Sequence, residues 1–266
     1  MQLSHAKILL TGASGGLGQE LARQLVAGGA QVLVAGRDPE KLAVLSAELG
    51  KTTGSIVGSV RADLTRPEGV AAVVGAAREF GVNVLINNAG IGSFGLYEQQ
   101  DWTEIQQVLL TNLLLPMQLT HALLPTLRSR SQAAIVNIGS TFGSLPFPGF
   151  SAYSAAKAGL RGFSQALRRE LADSSISVVH LAPRAIDTAL NSPAVNALNR
   201  ALGNHLDSPA AVAQKIVQAL AANTRERHIG FPEKLFAWLN GMAPGLIDQG
   251  LSAKLPVIKQ YATASH

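Results

Sequence analysis

Thr11-Gly12-Ala13-Ser14-Gly15-Gly16-Leu17-Gly18 is the stretch that decides how this chain folds. Just before it, Lys7-Ile8-Leu9-Leu10 is a short apolar run of strand length. Just after it, residues 16–27 read as a helix. Glycines between a strand and a helix permit a tight turn, close approach of a pyrophosphate to the backbone, and close packing of helix on strand. The helix start adds unpaired N–H groups and the positive end of the helix dipole. A glycine cluster alone is weak evidence, but this one sits in the strand–turn–helix setting that the motif requires. It marks Gly12, Ser14, Gly15, Gly16, Leu17 and Gly18 as candidate phosphate contacts.

Outward from this loop the pattern repeats. Apolar runs at 7–10, 31–35, 55–62, 84–86, 133–138 and 177–181 read as strands, and 228–230 as a short last one. They are mostly continuous runs, as expected of strands buried on both faces. Helical stretches lie between them at 16–27, 39–49, 67–80, 101–127 and 152–171. Ser208-Pro209 reads as a cap and first-turn proline opening a helix to residue 221. Alternating strands and helices predict an α/β doubly wound Rossmann fold, with a parallel sheet of about seven strands and helices on both faces. No linker divides the 266 residues, so a single domain is expected. Apolar residues continue at near-helical spacing over 232–261, where Pro244 and Gly245 should break the helix.

Composition removes several classes. Hydrophobic residues make up 47% and charged residues 15%, which excludes a disordered chain. The absence of cysteine excludes disulfides, thiolate catalysis and Cys-based metal sites. No two of the six histidines share a helix at i,i+3 or i,i+4, so no metal is expected. The net charge of +5 is spread without a dense Lys/Arg run, and aromatics are only 5%. Nucleic acid is therefore not an expected partner. Residues 1–7 lack a signal-peptide core and no run of about 18 apolar residues stands out, so a cytoplasmic enzyme without a membrane span is expected.

The second strand ends in Val34-Ala35-Gly36-Arg37-Asp38. In a dinucleotide fold, an acid near this point holds the adenosine ribose. Glycine stands there instead, followed by Arg37, whose guanidinium suits a 2′-phosphate. This favours NADP(H) over NAD(H). A shift of register would bring Asp38 to the ribose instead.

Tyr153-Ser154-Ala155-Ala156-Lys157 sets a phenol and an ammonium one turn apart on one helix face. A nearby ammonium favours phenolate, which lowers the tyrosine pKa towards the working range. Ser140 follows the strand at 133–138, and Asn87-Asn88-Ala89-Gly90 closes the fourth strand in the same layer. Ligands gather beyond the carboxyl ends of such strands. Asn112, in the otherwise apolar stretch 109–115, is either a packing hydrogen bond or part of the site.

Taken together, these pieces resemble the short-chain dehydrogenase/reductase family in its compact single-domain branch. The matching positions are Thr11-Gly12-x-x-x-Gly16-x-Gly18, Asp63, Asn87-Asn88-Ala89-Gly90, Asn112, Ser140 and Tyr153-x-x-x-Lys157, covering residues 7 to about 190. The resemblance implies Tyr153 as general acid/base. It implies Lys157 as the group that lowers the tyrosine pKa and holds the nicotinamide ribose. Ser140 would orient the carbonyl and Asn112 would hold a relay water. Asp63 with Leu64 would meet the adenine, and Asn88, Ala89 and Gly90 would line the cofactor. Pro183, Ile186 and Thr188 would lie near the nicotinamide. A homodimer or homotetramer through the helices at 101–127 and 152–171 is also implied.

One position departs from the family's usual Pro-Gly: here the sequence is Pro183-Arg184. Arginine lacks glycine's backbone freedom, so the expected substrate loop at 184–206 follows its own path. Arg184 faces the cofactor, a substrate anion, or solvent on this reading. The expected reaction is hydride transfer between NADP(H) and the carbonyl or hydroxyl carbon of a small, hydrophobic substrate. Rival readings are a non-catalytic NADP-binding regulator, an extended-type sugar-nucleotide epimerase, and a 3-oxoacyl thioester reductase. The apolar segment at 232–261 is expected to pack on its own domain or a partner, to cover the active site, or, with Lys234, Lys254 and Lys259, to associate weakly with a lipid surface.

Overall fold

The computed structural model describes residues 1–51 and 56–263. Seven strands form one parallel sheet: β1 Lys7–Thr11, β2 Gln31–Gly36, β3 Val57–Arg61, β4 Val84–Asn87, β5 Ala133–Ile138, β6 Ile176–Pro183 and β7 Glu226–Ile229. Their order is β3-β2-β1-β4-β5-β6-β7. The order reverses between β1 and β4, which is the crevice where a doubly wound sheet takes its ligand. Strand limits match the sequence reading to within a residue or two, except that β3 begins at Val57. Residue 55, assigned to that strand from sequence, lies outside the described residues.

The helices on one face are α1 Gly16–Ala27, α2 Pro39–Leu49 and α8 Pro209–Ala221. The other face carries α3 Pro67–Phe80, α4 Trp102–Leu109, α5 Leu115–Arg128 and α6 Ser151–Glu170. All six residues of β5 are buried, as a strand covered on both faces requires. Ile8 and Leu10 point into the α1/α8 layer, and Leu9 into the α3/α5 layer. Leu85, Ile86 and Ile135 are fully buried, and truncating any of them to alanine costs about 2–5 kcal/mol.

Local chemistry sets the helix starts. Asp38 accepts from Lys41 N with Pro39 in the first turn, and Ser208 accepts from Ala211 N with Pro209 in the first turn. α3 stops at Gly81, whose φ of 76° is left-handed.

The helix expected over 101–127 runs from Trp102 to Arg128, but Leu110–Leu114 form a π turn between α4 and α5. Asn112 lies within it. With a mean hydropathy of 1.3, this helix is long and apolar enough to cross a membrane by length and composition alone, which the sequence reading passed over. Its Leu115, Leu119, Leu123 and Leu127 are buried in the core, and its composition does not establish a span.

Beyond β6 come α7 Pro193–Ala201, then α8 and β7, then α9 Glu233–Met242, α10 Pro244–Ser252 and α11 Leu255–Thr263. The break expected at Pro244 is the start of α10.

Candidate active site

The phosphate loop is built by close approach. Gly12 has φ +64°, and a Cβ there would lie 2.7 Å from Ala89 Cα. A Cβ on Gly18 would lie 2.2 Å from Gly12 O, so only glycine lets α1 pack against the turn. Gly15 caps α1 with no side-chain hydrogen bond, which leaves the first N–H groups of the helix open to an anion. Gly16 and Leu17 form the first turn, with Leu17 packed against the core. Asn88 turns its side chain inward: Nδ2 donates to Thr11 O at 3.0 Å and Gly12 O at 3.2 Å. It therefore braces the loop from behind. Ala89 N donates to Thr11 Oγ1 at 3.1 Å.

At the adenosine end, Arg37 is exposed. Asp38 is committed as the α2 cap, where its bond from Lys41 N holds its carboxyl below the usual range. The cap engages Oδ1, while Oδ2 lies 3.5 Å from Lys41 Nζ. A Cβ on Gly36 would lie 3.0 Å from Ser14 Oγ, so this position sits directly under the loop. Asp63 Oδ1 accepts from Thr65 N and Oγ1 at 3.0 and 2.7 Å, and these bonds hold its carboxyl below the usual range, with Arg37 and Arg66 adding to the effect. Leu64 is partly buried beside it.

At the other end, Ser140 follows β5 and its Oγ accepts from Phe142 N at 3.2 Å. Tyr153 and Lys157 sit in the first two turns of α6. Lys157 is buried; its Nζ donates to Ile138 O at 3.0 Å and lies 5.7 Å from the Tyr153 ring centre. Burial pushes this ammonium down to about 8. The expectation that Lys157 lowers the tyrosine pKa is not met in this geometry. Burial raises the Tyr153 phenol, and a hydrogen bond with Ser140 opposes the rise.

Asn112 is fully buried, and its Nδ2 donates to Ile91 O at 2.9 Å and Val108 O at 3.0 Å. Its Oδ1 is buried without a protein partner. A Cβ on Gly90 would lie 2.7 Å from that oxygen and 3.7 Å from Lys157 Nζ, so the amide and the ammonium face the same spot. The nitrogen of Asn112 makes the packing hydrogen bonds of one reading, and its orphan oxygen leaves an acceptor facing Lys157, as the other requires. The π turn explains its aim, since such bulges re-orient a side chain within a helix.

Pro183 ends β6 and its carbonyl accepts from Thr141 Oγ1 at 3.2 Å. Ile186 bridges Asp207, and Thr188 lies over the phosphate loop, its Cγ2 3.1 Å from where a Cβ on Gly16 would stand. Arg184 is not the solvent-exposed loop arginine of one expectation: its side chain is 12% exposed and pairs with Asp207 and Glu233.

Two features escaped the sequence reading. Phe94, Phe142, Phe147 and Phe150 cluster beside Tyr153, with Phe142 and Phe150 ring centres each 6.4 Å from its ring. Three of the four fall within residues 142–150, a visible concentration in a chain with so few aromatics. The second is a polar row across the sheet. Asn87, Asn137, His180 and Glu226 are successive partners on β4, β5, β6 and β7. Asn87 Nδ2 donates to Asn137 Oδ1 at 2.8 Å, and Asn137 Nδ2 to Ser164 Oγ at 2.9 Å. Lone polar residues inside apolar runs were the available signal.

An open cavity of about 640 Å³ is lined by Phe147, Ser154, Ala158, Leu251 and Leu255 among others. It contains none of Ser140, Tyr153 and Lys157.

A phosphate-binding turn at the switch point, with a serine, tyrosine, lysine and asparagine gathered beyond the strand ends, defines a dinucleotide-dependent oxidoreductase. Residues 6–199 match the short chain dehydrogenase family model, and the chain belongs to the short-chain dehydrogenase/reductase family. It is 36% identical to dehydrogenase/reductase SDR family member 7B of Bos taurus over 267 residues, covering 94% of this chain and 81% of the relative. Among solved structures it is similar to a short-chain dehydrogenase from Sphingobium yanoikuyae in complex with NADPH, with TM-score 0.78, 30% identity, and coverage of 91% of this chain and 95% of the other. It is also similar to a bulky-bulky ketone specific alcohol dehydrogenase from Comamonas testosteroni, with TM-score 0.78, 26% identity and coverage of 92% and 94%.

Proposed function

We propose that this chain is an NADP(H)-dependent reductase of hydrophobic ketones or aldehydes, or the corresponding alcohol dehydrogenase. The observation that carries this reading is the phenylalanine wall around the half-buried Tyr153 phenol, with Ser140 bonded to it. An apolar wall receives an apolar substrate, and the two hydroxyls are its polar anchors. The relative from Comamonas, described as specific for bulky ketones, supports it.

The fit to a dinucleotide rests on the glycine cradle, the open start of α1 and the exposed Arg37 beside Gly36. Arg37, with Asp38 committed to its cap, supports the phosphorylated cofactor, as does the NADPH complex of the Sphingobium relative. When bound, the dinucleotide supplies or accepts the hydride. The protein's residues handle the proton and the orientation. Ser140 donates a hydrogen bond to the carbonyl oxygen, and Tyr153 donates the proton to it. Lys157 would hold the nicotinamide ribose, and the hydrogen bond with Ser140 favours the phenolate left on Tyr153. Asn112 Oδ1 accepts from a relay water beside the ammonium, through which the phenol regains its proton. The exposed Leu114 and Met117 on one turn of the α4–α5 helix support self-association there.

The test is a panel of ketones, aldehydes and 3-oxoacyl thioesters of graded size, followed by NADPH and NADH absorbance. Turnover of apolar ketones with NADPH is the expected result. Preference for a thioester, for NADH, or binding without turnover overturns the reading in its respective part.

A further inference from the structure

Arg184 stands at the carboxyl end of β6, and its guanidinium joins three segments. Nε and Nη2 donate to Asp207 Oδ2 and Oδ1 at 3.0 and 2.7 Å, a bidentate pair. Nη1 donates to Phe231 O at 2.9 Å and to Glu233 Oε2 at 3.2 Å. Phe231 and Glu233 are at the entrance of α9. Gly230 makes room for the arginine stem: at φ +130°, a Cβ there would lie 2.7 Å from Arg184 Cδ.

Asp207 closes the other end of the 185–206 loop. Asp187 N donates to Asp207 O and Asp207 N to Ala185 O, both at 3.0 Å, so the loop is stapled at its neck by its own two ends. That neck carries Ile186 and leads to Thr188 over the phosphate loop. On the far side, Asn240 Nδ2 of α9 donates to Ser144 O at 3.0 Å, four residues beyond Ser140. The α7 loop and α9 therefore bound the site from two directions, and one guanidinium holds both.

We infer that Arg184 is a positioning residue that locks the 185–206 loop and helix α9 into one rigid wall of the substrate pocket and so sets which carbonyl compounds enter. It rests on the carbonyl-reductase reading above. Side chains held by charge-assisted, poorly exposed bonds give a fixed wall, whereas a glycine at this position leaves loop and helix to move independently. Lysine does not replace it, because a single ammonium lacks the planar fork that spans two carboxylates.

The experiment uses the full chain with Arg184→Gly, Arg184→Lys and Glu233→Ala, each assayed for KM and kcat over the graded carbonyl panel and for KM of NADPH. Glu233→Ala should raise KM for bulky ketones about ten-fold, the cost of losing one charge-assisted bond, and reorder the panel. KM for NADPH and kcat with the smallest ketone should stay at wild-type values. Arg184→Gly should also raise KM for NADPH, because the neck carrying Thr188 loosens, and Arg184→Lys should recover only part of the loss. If Arg184→Gly fails to fold, Glu233→Ala carries the test, since it removes the ion pair between Arg184 and α9 while leaving the Asp207 pair and the bond to Phe231 O intact. Wild-type KM values and ranking in folded Glu233→Ala overturn the inference. If the wild type reduces no carbonyl in the panel, the functional reading fails on its own, and the clamp is read by amide hydrogen exchange over 231–243. Faster exchange in Glu233→Ala supports it, and unchanged exchange overturns it.

Discussion

Lys157 points its ammonium at the Ile138 carbonyl, 3.0 Å away, while standing 5.7 Å from the centre of the Tyr153 ring. The end of β5 thus holds the cation before any ligand does. The lysine enters the site already oriented, and its burial keeps its pKa near 8.

From this follows a pH dependence of cofactor binding. Lys157 is charged below about pH 8 and loses its proton as pH rises through that value. NADPH affinity measured by fluorescence titration should weaken between pH 7 and 9 in the wild type, and stay flat in Lys157→Met. A flat wild-type profile removes Lys157 from cofactor binding.

Tyr153→Phe keeps the ring within the phenylalanine cluster and deletes the proton donor. Turnover should fall by about 10²–10⁴-fold, the usual worth of general acid catalysis, with NADPH affinity near wild type. Near-normal kcat in this variant would rule out the assigned role.

Arg37→Ala should weaken NADPH by about ten- to a hundred-fold, as expected for loss of a charge-assisted contact, and leave NADH almost unchanged. The ratio of the two KM values is the measurement. An equal effect on both cofactors means that Arg37 does not read the 2′-phosphate.

His180 is fully buried with neither ring nitrogen hydrogen-bonded, and burial pushes its pKa from 6.5 down to about 4. The unfolded chain therefore binds this proton more readily than the folded one. Stability is full above pH 6.5 and declines as pH falls towards 4, by an amount on the order of 3 kcal/mol for a shift of this size. His228, also lowered by burial, acts in the same direction. His180→Gln should flatten urea-unfolding stability between pH 6.5 and 4.5 relative to wild type. An unchanged slope assigns the acid sensitivity elsewhere.

Phe150→Ala opens the wall beside Tyr153. Its KM for bulky apolar ketones should rise about ten-fold, with a smaller change for the shortest ketone, consistent with loss of a large contact surface. A uniform change across the panel would mean that the ring serves packing rather than substrate.

Local pattern was enough for most of the fold. Continuous apolar runs such as Ala133–Ile138, capping pairs such as Ser208-Pro209 and the Thr11–Gly18 turn depend on neighbours within a few residues, so strands, helices and the phosphate loop were legible along the chain. The motif residues Ser140, Tyr153, Lys157 and Asn112 were legible by order and spacing, and the fold brings them to one end of the sheet.

What depended on distant neighbours was decided only by tertiary structure. Arg184 looked free because its partners lie 23 and 49 residues away, and only the approach of β6, the 207 turn and α9 pairs it. The Tyr153 phenol was expected to titrate low from its lysine neighbour, yet burial in the folded chain raises it. The row from Asn87 to Glu226 exists only through strand register. Backbone conformation follows from short-range sterics and hydrophobic periodicity, which the sequence determined by itself; charge state and pairing follow from burial and from contacts across the chain, which only packing supplies.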